Sequence, residues 1–262
     1  MRSAGAAAAL LCFGFVASAV AHASDTDSAA QVLAEARSQP GAKPVRRVVE
    51  LLKTGQADAI TDAALELLAE RVSNPAAAAE AREVLELYTR HRRAAARVRA
   101  YAALGRSADK SAEAVLTRGL GDASPEVRAA CAGALADRHA TGSLDALFRA
   151  LERGVPEAGR AIGRIGDATS VERFERWFGK APLTAMLEGY EAYLRRPDLG
   201  DDVKLSILGK LEEVGSDRVR ELVFELAKPG VVPAGPRLSK ELARLRRRAE
   251  KQAAQAKPGA QP

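Results

Sequence analysis

Aromatic side chains are scarce, at 4% of the 262 residues. Runs of β-branched residues long enough for a strand are missing as well. A core layered from sheet and helix draws on both, so the composition points to an all-α chain filled by Ala and Leu. Cysteine occurs twice, at Cys12 and Cys131, and histidine three times, at His22, His91 and His139. The histidines are too far apart in sequence to share a helical turn, and none has a second ligand at helical spacing. There is no Cys-x-x-Cys, no Walker-type glycine loop and no Gly-x-Ser-x-Gly, which removes the common redox, nucleotide and serine-hydrolase signatures. Asp201-Asp202 and Glu212-Glu213 are paired carboxylates, but they fall at a helix start and on a helical face, where capping and solvation account for them. The expectation is a non-enzyme, with no catalytic residue, no metal ligand and no cofactor.

A long apolar run occurs once, as AGAAAALLCFGFVASAV near the start. Arg2 precedes it, and Ala21-His22-Ala23 followed by the polar SDTDS closes it. This is the three-part pattern of a secretory signal peptide over residues 1–23, cleaved between Ala23 and Ser24. A membrane anchor is the alternative, but the run is short for a hydrocarbon core of about 30 Å and rich in Ala. No later run is apolar enough to span a bilayer, so the mature chain is expected outside the cytoplasm, in the periplasm by default. Cleavage would leave Cys131 as the sole cysteine, unable to form an intrachain disulfide and best read as a small buried apolar residue.

What the sequence does have is internal repetition. ARVRAYAALGRSADKSAEAVLTRGL aligns with VRAACAGALADRHATGSLDALFRAL in steps of 31: Leu104 with Leu135, Leu116 with Leu147, Leu120 with Leu151. The next unit, AGRAIGRIGDATSVERFERWF, follows in steps of 27: Leu135 with Ile162, Leu147 with Phe174. Each unit reads as a first helix lined with small residues, a tight turn, and a second helix with large apolar residues at i, i+3, i+4 and i+7, such as Leu144, Leu147, Phe148 and Leu151. Such a pair buries its stripe only by stacking on a neighbour. The small residues of SPEVRAACAGALAD then let first helices approach closely. Ser124 suits the N-cap, Pro125 the first helical position and Glu126 the first turn. Further helices are predicted at 44–54, 57–71, 75–92 and 182–195, with breaks at 41–44 and 229–236.

The pattern DASPEVRAACAGAL followed by LDALFRAL resembles the HEAT-repeat family, closest to the short HEAT-like repeats named after the phycobilisome lyases. The resemblance covers roughly 94–180 and extends to 201–228, where Val203-Lys204 stands for Val127-Arg128 and the next helix carries Val219, Leu222 and Leu226. It implies an α-solenoid, a HEAT-like superhelix over 44–228, preceded by an N-terminal helix or linker over 24–43. It also implies that the arginine after Val bonds loop groups of the neighbouring unit, a structural role for Arg128. Some HEAT-like proteins are metal-dependent hydroxylases with His-Glu dipeptides, and none occurs here. A bilin lyase would handle a tetrapyrrole inside the cell, the wrong compartment for an exported chain.

On the second helices, Arg118, Arg149 and Arg176 recur at one repeat position, again in steps of 31 and 27, with Trp177 beside the last. The resemblance puts this row on the concave face, where forked guanidinium groups would hold a carboxylate-rich or phosphorylated partner. The competing reading is local: Asp145 stands four residues before Arg149, and Glu172 four before Arg176, as ordinary i,i+4 ion pairs. Arg118 has Ala114 at that place. From Arg237 onward there are eight basic and two acidic residues, a net +6 in a chain whose total is +6. The basic character therefore belongs to the C-terminal segment 229–262, read as a Pro/Gly break, a helix and a disordered end. In the helix, Leu238, Leu242 and Leu245 are expected to cap the last repeat near Leu222 and Leu226, leaving the arginines to solvent. The reading is an exported scaffold binding a protein or peptide. A cell-envelope tether using the basic tail on an anionic component is the alternative, and nucleic acid is not expected as a partner.

Overall fold

A computed structural model describes residues 28–39, 41–74 and 78–255; the signal-peptide segment, its cleavage site at Ala23 and Ser24, and the last seven residues lie outside them. Among the described residues there are helices and no strand. The chain divides into two compact units, the first ending at Val115 and the second beginning at Leu116. The first holds α1 (28–38), α2 (Ala42–Lys53), α3 (Asp58–Arg71), α4 (Ala78–Tyr88) and α5 (Ala94–Gly105). Helix α6 (Ser111–Gly119) runs across the division. The second holds α7 (Pro125–Asp137), α8 (Leu144–Glu152), α9 (Glu157–Ile165), α10 (Ala168–Glu175), α11 (Leu183–Leu194), α12 (Asp201–Val214), α13 (Asp217–Leu226) and α14 (Pro236–Gln255).

Within each unit, helices pack on their sequence neighbours and on the helix two places along, which is the stacking of an α-solenoid. In the first unit α3 packs on α5 and α2 on α4. Arg93 ties the first of these pairs, with Asp62 at 2.9 Å and Asp58 at 3.0 Å. The Tyr88 hydroxyl donates to the Leu52 carbonyl at 3.1 Å in the second. In the second unit α7, α9, α11 and α13 form one layer, while α10, α12 and α14 form the other.

Two first-layer helices, α7 and α13, begin alike because their sequences do. Ser124 caps α7 by accepting from the Val127 N–H, and Ser216 caps α13 by accepting from the Val219 N–H. The following arginine folds back onto the loop that leads into its own helix. Arg128 donates to the carbonyls of Asp122 and Ala123, both at 3.1 Å. Arg97 does the same to His91 and Arg92 ahead of α5, and Arg220 to Gly215 ahead of α13. The role of Arg128 is structural, as expected, but its bonds go to its own entry loop. Toward the neighbouring helix it reaches Glu157 of α9, at 4.0 Å.

The position of α13 corrects the repeat phase. Residues 201–226 read from sequence as one hairpin with α12 first and Val203-Lys204 in the place of Val-Arg. The structure puts α12 in the layer of second helices and α13 in the layer of first helices. Ser216-x-x-Val219-Arg220 is the equivalent of Ser124-x-x-Val127-Arg128. Lys204 instead is buried at 1% exposure and donates to the Pro233 carbonyl at 2.7 Å, while Asp201 accepts from the Gly235 N–H. Both hold the Pro/Gly segment that leads into α14.

Helix α14 is consequently the second helix of the last hairpin. Leu238, Leu242 and Leu245 are buried, as the spacing predicts, and α14 packs on α12 and α13. Leu226 is buried too, but Leu222 is only half-buried and lines a groove with α11 residues on the other side of α13. The arginines of α14 are not all left to solvent. Arg244 is paired with Glu212 and Glu241 at 2.6 Å, Arg248 with Glu212, and the Arg246 guanidinium lies 5.4 Å from the Phe224 ring centre.

Small residues do create a close approach, at α9 and α11. A Cβ on Gly159 would run into the Ala185 carbonyl, one on Gly163 into that of Gly189, and one on Gly189 into the Phe174 ring. Here the few aromatics gather: Phe174 meets Tyr190 edge-on at 5.3 Å and Tyr193 at 6.0 Å. In α7, Cys131 and Ala132 are buried, yet a Cβ on Gly133 would meet nothing within 4 Å. The glycine of ACAGA thus faces open space, contrary to its expected part in helix approach.

Candidate functional site

The recurring arginines stand at the C-terminal ends of second-layer helices. Arg118 and Arg149 occupy the last turns of α6 and α8, and Arg176 is the C-cap of α10. A cation there complements the helix dipole, a contribution of about 0.3–1 kcal/mol at an exposed position. All three side chains are exposed, and among the described residues none forms an ion pair. The local pairs offered by the sequence are not made. Asp145 instead accepts from Arg173 of α10 at 2.5 Å, which, with a smaller Coulombic contribution from Arg149, holds its carboxyl below the usual carboxylate range. The Arg173 guanidinium also lies 4.0 Å from the Phe148 ring centre, so cation–π attraction fixes it in that bridge. The bridge joins α8 to α10, which brings the helices of Arg149 and Arg176 together. Arg173 was not singled out from sequence, since only the fold places it against α8.

Trp177 follows Arg176 directly and is half-buried, with Lys180 Nζ 5.9 Å from its ring centre. Phe178 beyond it stacks on Tyr190 at 6.3 Å. The turn 176–180 is therefore anchored by Phe178 and presents Arg176 and part of Trp177. Asp167 positions the helix they end: its carboxylate accepts from the Ser170 N–H at 2.8 Å and sits below its ordinary pKa chiefly for that reason.

Burial pushes the Cys131 thiol well up, so it stays protonated near neutrality and is a poor nucleophile. Burial likewise pushes Tyr193 up to about 12, and its hydroxyl is engaged with Ser170 Oγ at 2.7 Å. No group of three or more His, Cys, Asp or Glu residues fit to hold a metal ion occurs among the described residues. No described helix is long and apolar enough to cross a membrane. Arg118, Arg149 and Arg176 thus stand exposed at the C-terminal ends of α6, α8 and α10. Residues 81–157, from within α4 to the start of α9, match a family model described as HEAT repeats. No curated protein matches the chain.

Proposed function

On the premise that this chain is a HEAT-repeat protein, we propose that it is a non-enzymatic, exported scaffold that binds a protein or peptide partner on its second-helix face. HEAT repeats commonly serve as protein-interaction scaffolds, and stacked repeats supply the extended surface for it. The observation that carries the assignment is the unpaired state of Arg118, Arg149 and Arg176, with the carboxylate best placed to neutralise Arg149 committed to Arg173. Exposed guanidinium groups with no internal partner are free to make forked bonds to a partner's carboxylates, with Trp177 adding apolar area. Export rests on the signal-peptide pattern of residues 1–23, and a new N-terminus at Ser24 in the secreted or periplasmic fraction is its expected sign. The site is tested by a photo-crosslinking residue placed at Arg149 or, on the opposite layer, at Arg160. Partner adducts from position 149 alone support the reading. Adducts from position 160 alone would move the interface to the first helices.

A second reading, attachment to an anionic envelope component through the C-terminal helix, is favoured by the charges on α14.

A further inference from the structure

The apolar side of α14 is used up inside the fold, and its opposite side is a line of cations. At 100° per residue, Leu238, Leu242, Leu245 and Ala249 share one face, which is turned to α12 and α13. Arg237, Lys240, Arg244, Arg247 and Lys251 follow one another at spacings of 3, 4, 3 and 4 and fall within a sector of about 80° on the other face. All five are exposed. The row spans 15 residues, a length of about 21 Å from end to end along a helix. Arg244 is held by Glu212 and Glu241, and Arg237 by a 3.3 Å contact to Asp202. Lys240, Arg247 and Lys251 make no ion pair among the described residues, and these three lie closest to the direction opposite the leucine face.

We propose that this row is a peripheral membrane-attachment site for anionic phospholipid headgroups, deepening the second reading above and independent of the arginines on α6, α8 and α10. A single straight row on a convex helix touches a plane along one line, and a bilayer surface offers a phosphate to every cation on that line. A flexible linear polyanion would have to be ordered along the row, at an entropic cost the bilayer does not incur. Attachment is electrostatic only. Because the leucines are committed to α12 and α13, α14 lies on the surface without inserting, unlike an amphipathic helix whose apolar face enters the acyl boundary. Binding therefore falls steeply with salt, since exposed charges are screened within a Debye length of about 10 Å at 0.1 M.

The experiment is co-sedimentation of the full chain with vesicles of phosphatidylglycerol and phosphatidylcholine in equal parts, and with phosphatidylcholine alone, at low and high salt. Lys240→Glu, Arg247→Glu and Lys251→Glu are combined in one variant, and Lys240→Gln, Arg247→Gln and Lys251→Gln in a second. Since none of these side chains is buried or paired, both variants are expected to melt as the parent does. Preference for the anionic vesicles should fall on the order of 100-fold in the neutral variant, at roughly fivefold per lost cation, and further in the reversed one. The Arg118→Glu, Arg149→Glu double variant should keep the full preference, which separates this site from the partner-binding row. Undiminished preference in the reversed variant would overturn the proposal. So would binding to polyphosphate without binding to anionic vesicles.

Discussion

Helix α7 and the α9–α11 pair are both rich in small residues, and they use them differently. In α9 and α11, Gly159, Gly163 and Gly189 stand where any Cβ would strike a backbone carbonyl or the Phe174 ring, so each glycine is required by its neighbour. In α7, Cys131 and the alanines fill the interior while Gly133 looks into open space. A glycine has no side chain to say which way it faces. Composition identifies a small-residue helix, and only packing shows which of its positions is in contact.

The difference is sharpened most by one substitution made in both places. Gly163→Leu should destabilise the second unit by about 3 kcal/mol or more, because backbone rather than a flexible side chain blocks the space. Gly133→Leu should not lower the urea midpoint below that of the parent. Equal losses at the two positions would erase the distinction. The C-terminal hairpin gives the next effect. Leu238 is fully buried, so Leu238→Ala should cost about 2–4 kcal/mol in the same unfolding measurement, far more than truncation in a loosely held tail would.

Much of this was legible in the sequence. The start of α7 follows from Ser124, Pro125, Glu126 and Val127-Arg128, and the alignment of Arg118, Arg149 and Arg176 from steps of 31 and 27. The repeat phase after α11 was not, for a local reason. Asp201-Asp202 opens α12 as convincingly as Ser216 opens α13, and the leucine spacing suits either pairing. The Pro/Gly segment 229–235 then separates α13 from α14 and makes a true repeat helix look like a tail. Lys204 shows what the fold added: a cation at the Val-Arg position whose bond goes to Pro233, 29 residues on. The pairing of Asp145 was hidden in the same way. Sequence offers Arg149 one turn away, and the tertiary structure offers Arg173 already fixed over Phe148.

A smaller effect comes from the cap of α10, which backs the α9–α11 contact. Asp167→Ala should cost about 1 kcal/mol, the usual loss on removing an N-cap. The folded pKa of Asp167 is depressed by the Ser170 N–H, so its contribution is fully present above the unfolded value of about 3.9 and is lost as pH falls through the lower folded value. The variant and the parent should therefore converge in stability toward pH 2, and a difference that persisted unchanged there would mean the cap acts through packing alone. The smallest effect has the opposite sign. Gly133→Ala should stabilise by about 0.5–1 kcal/mol, because a helix-interior glycine is replaced where nothing obstructs the methyl group. A loss of stability would place an unseen contact on α7.

The functional assignment depends on the arginine row being a surface for a partner rather than a decoration of helix ends. Arg118→Glu combined with Arg149→Glu tests this most directly, with partner crosslinking and thermal melting measured on the same preparation. Crosslinked partner should be lost while the melting temperature changes only by the small dipole contribution of two exposed charges. Full crosslinking by the double variant would contradict it and leave these arginines as helix-end cations alone.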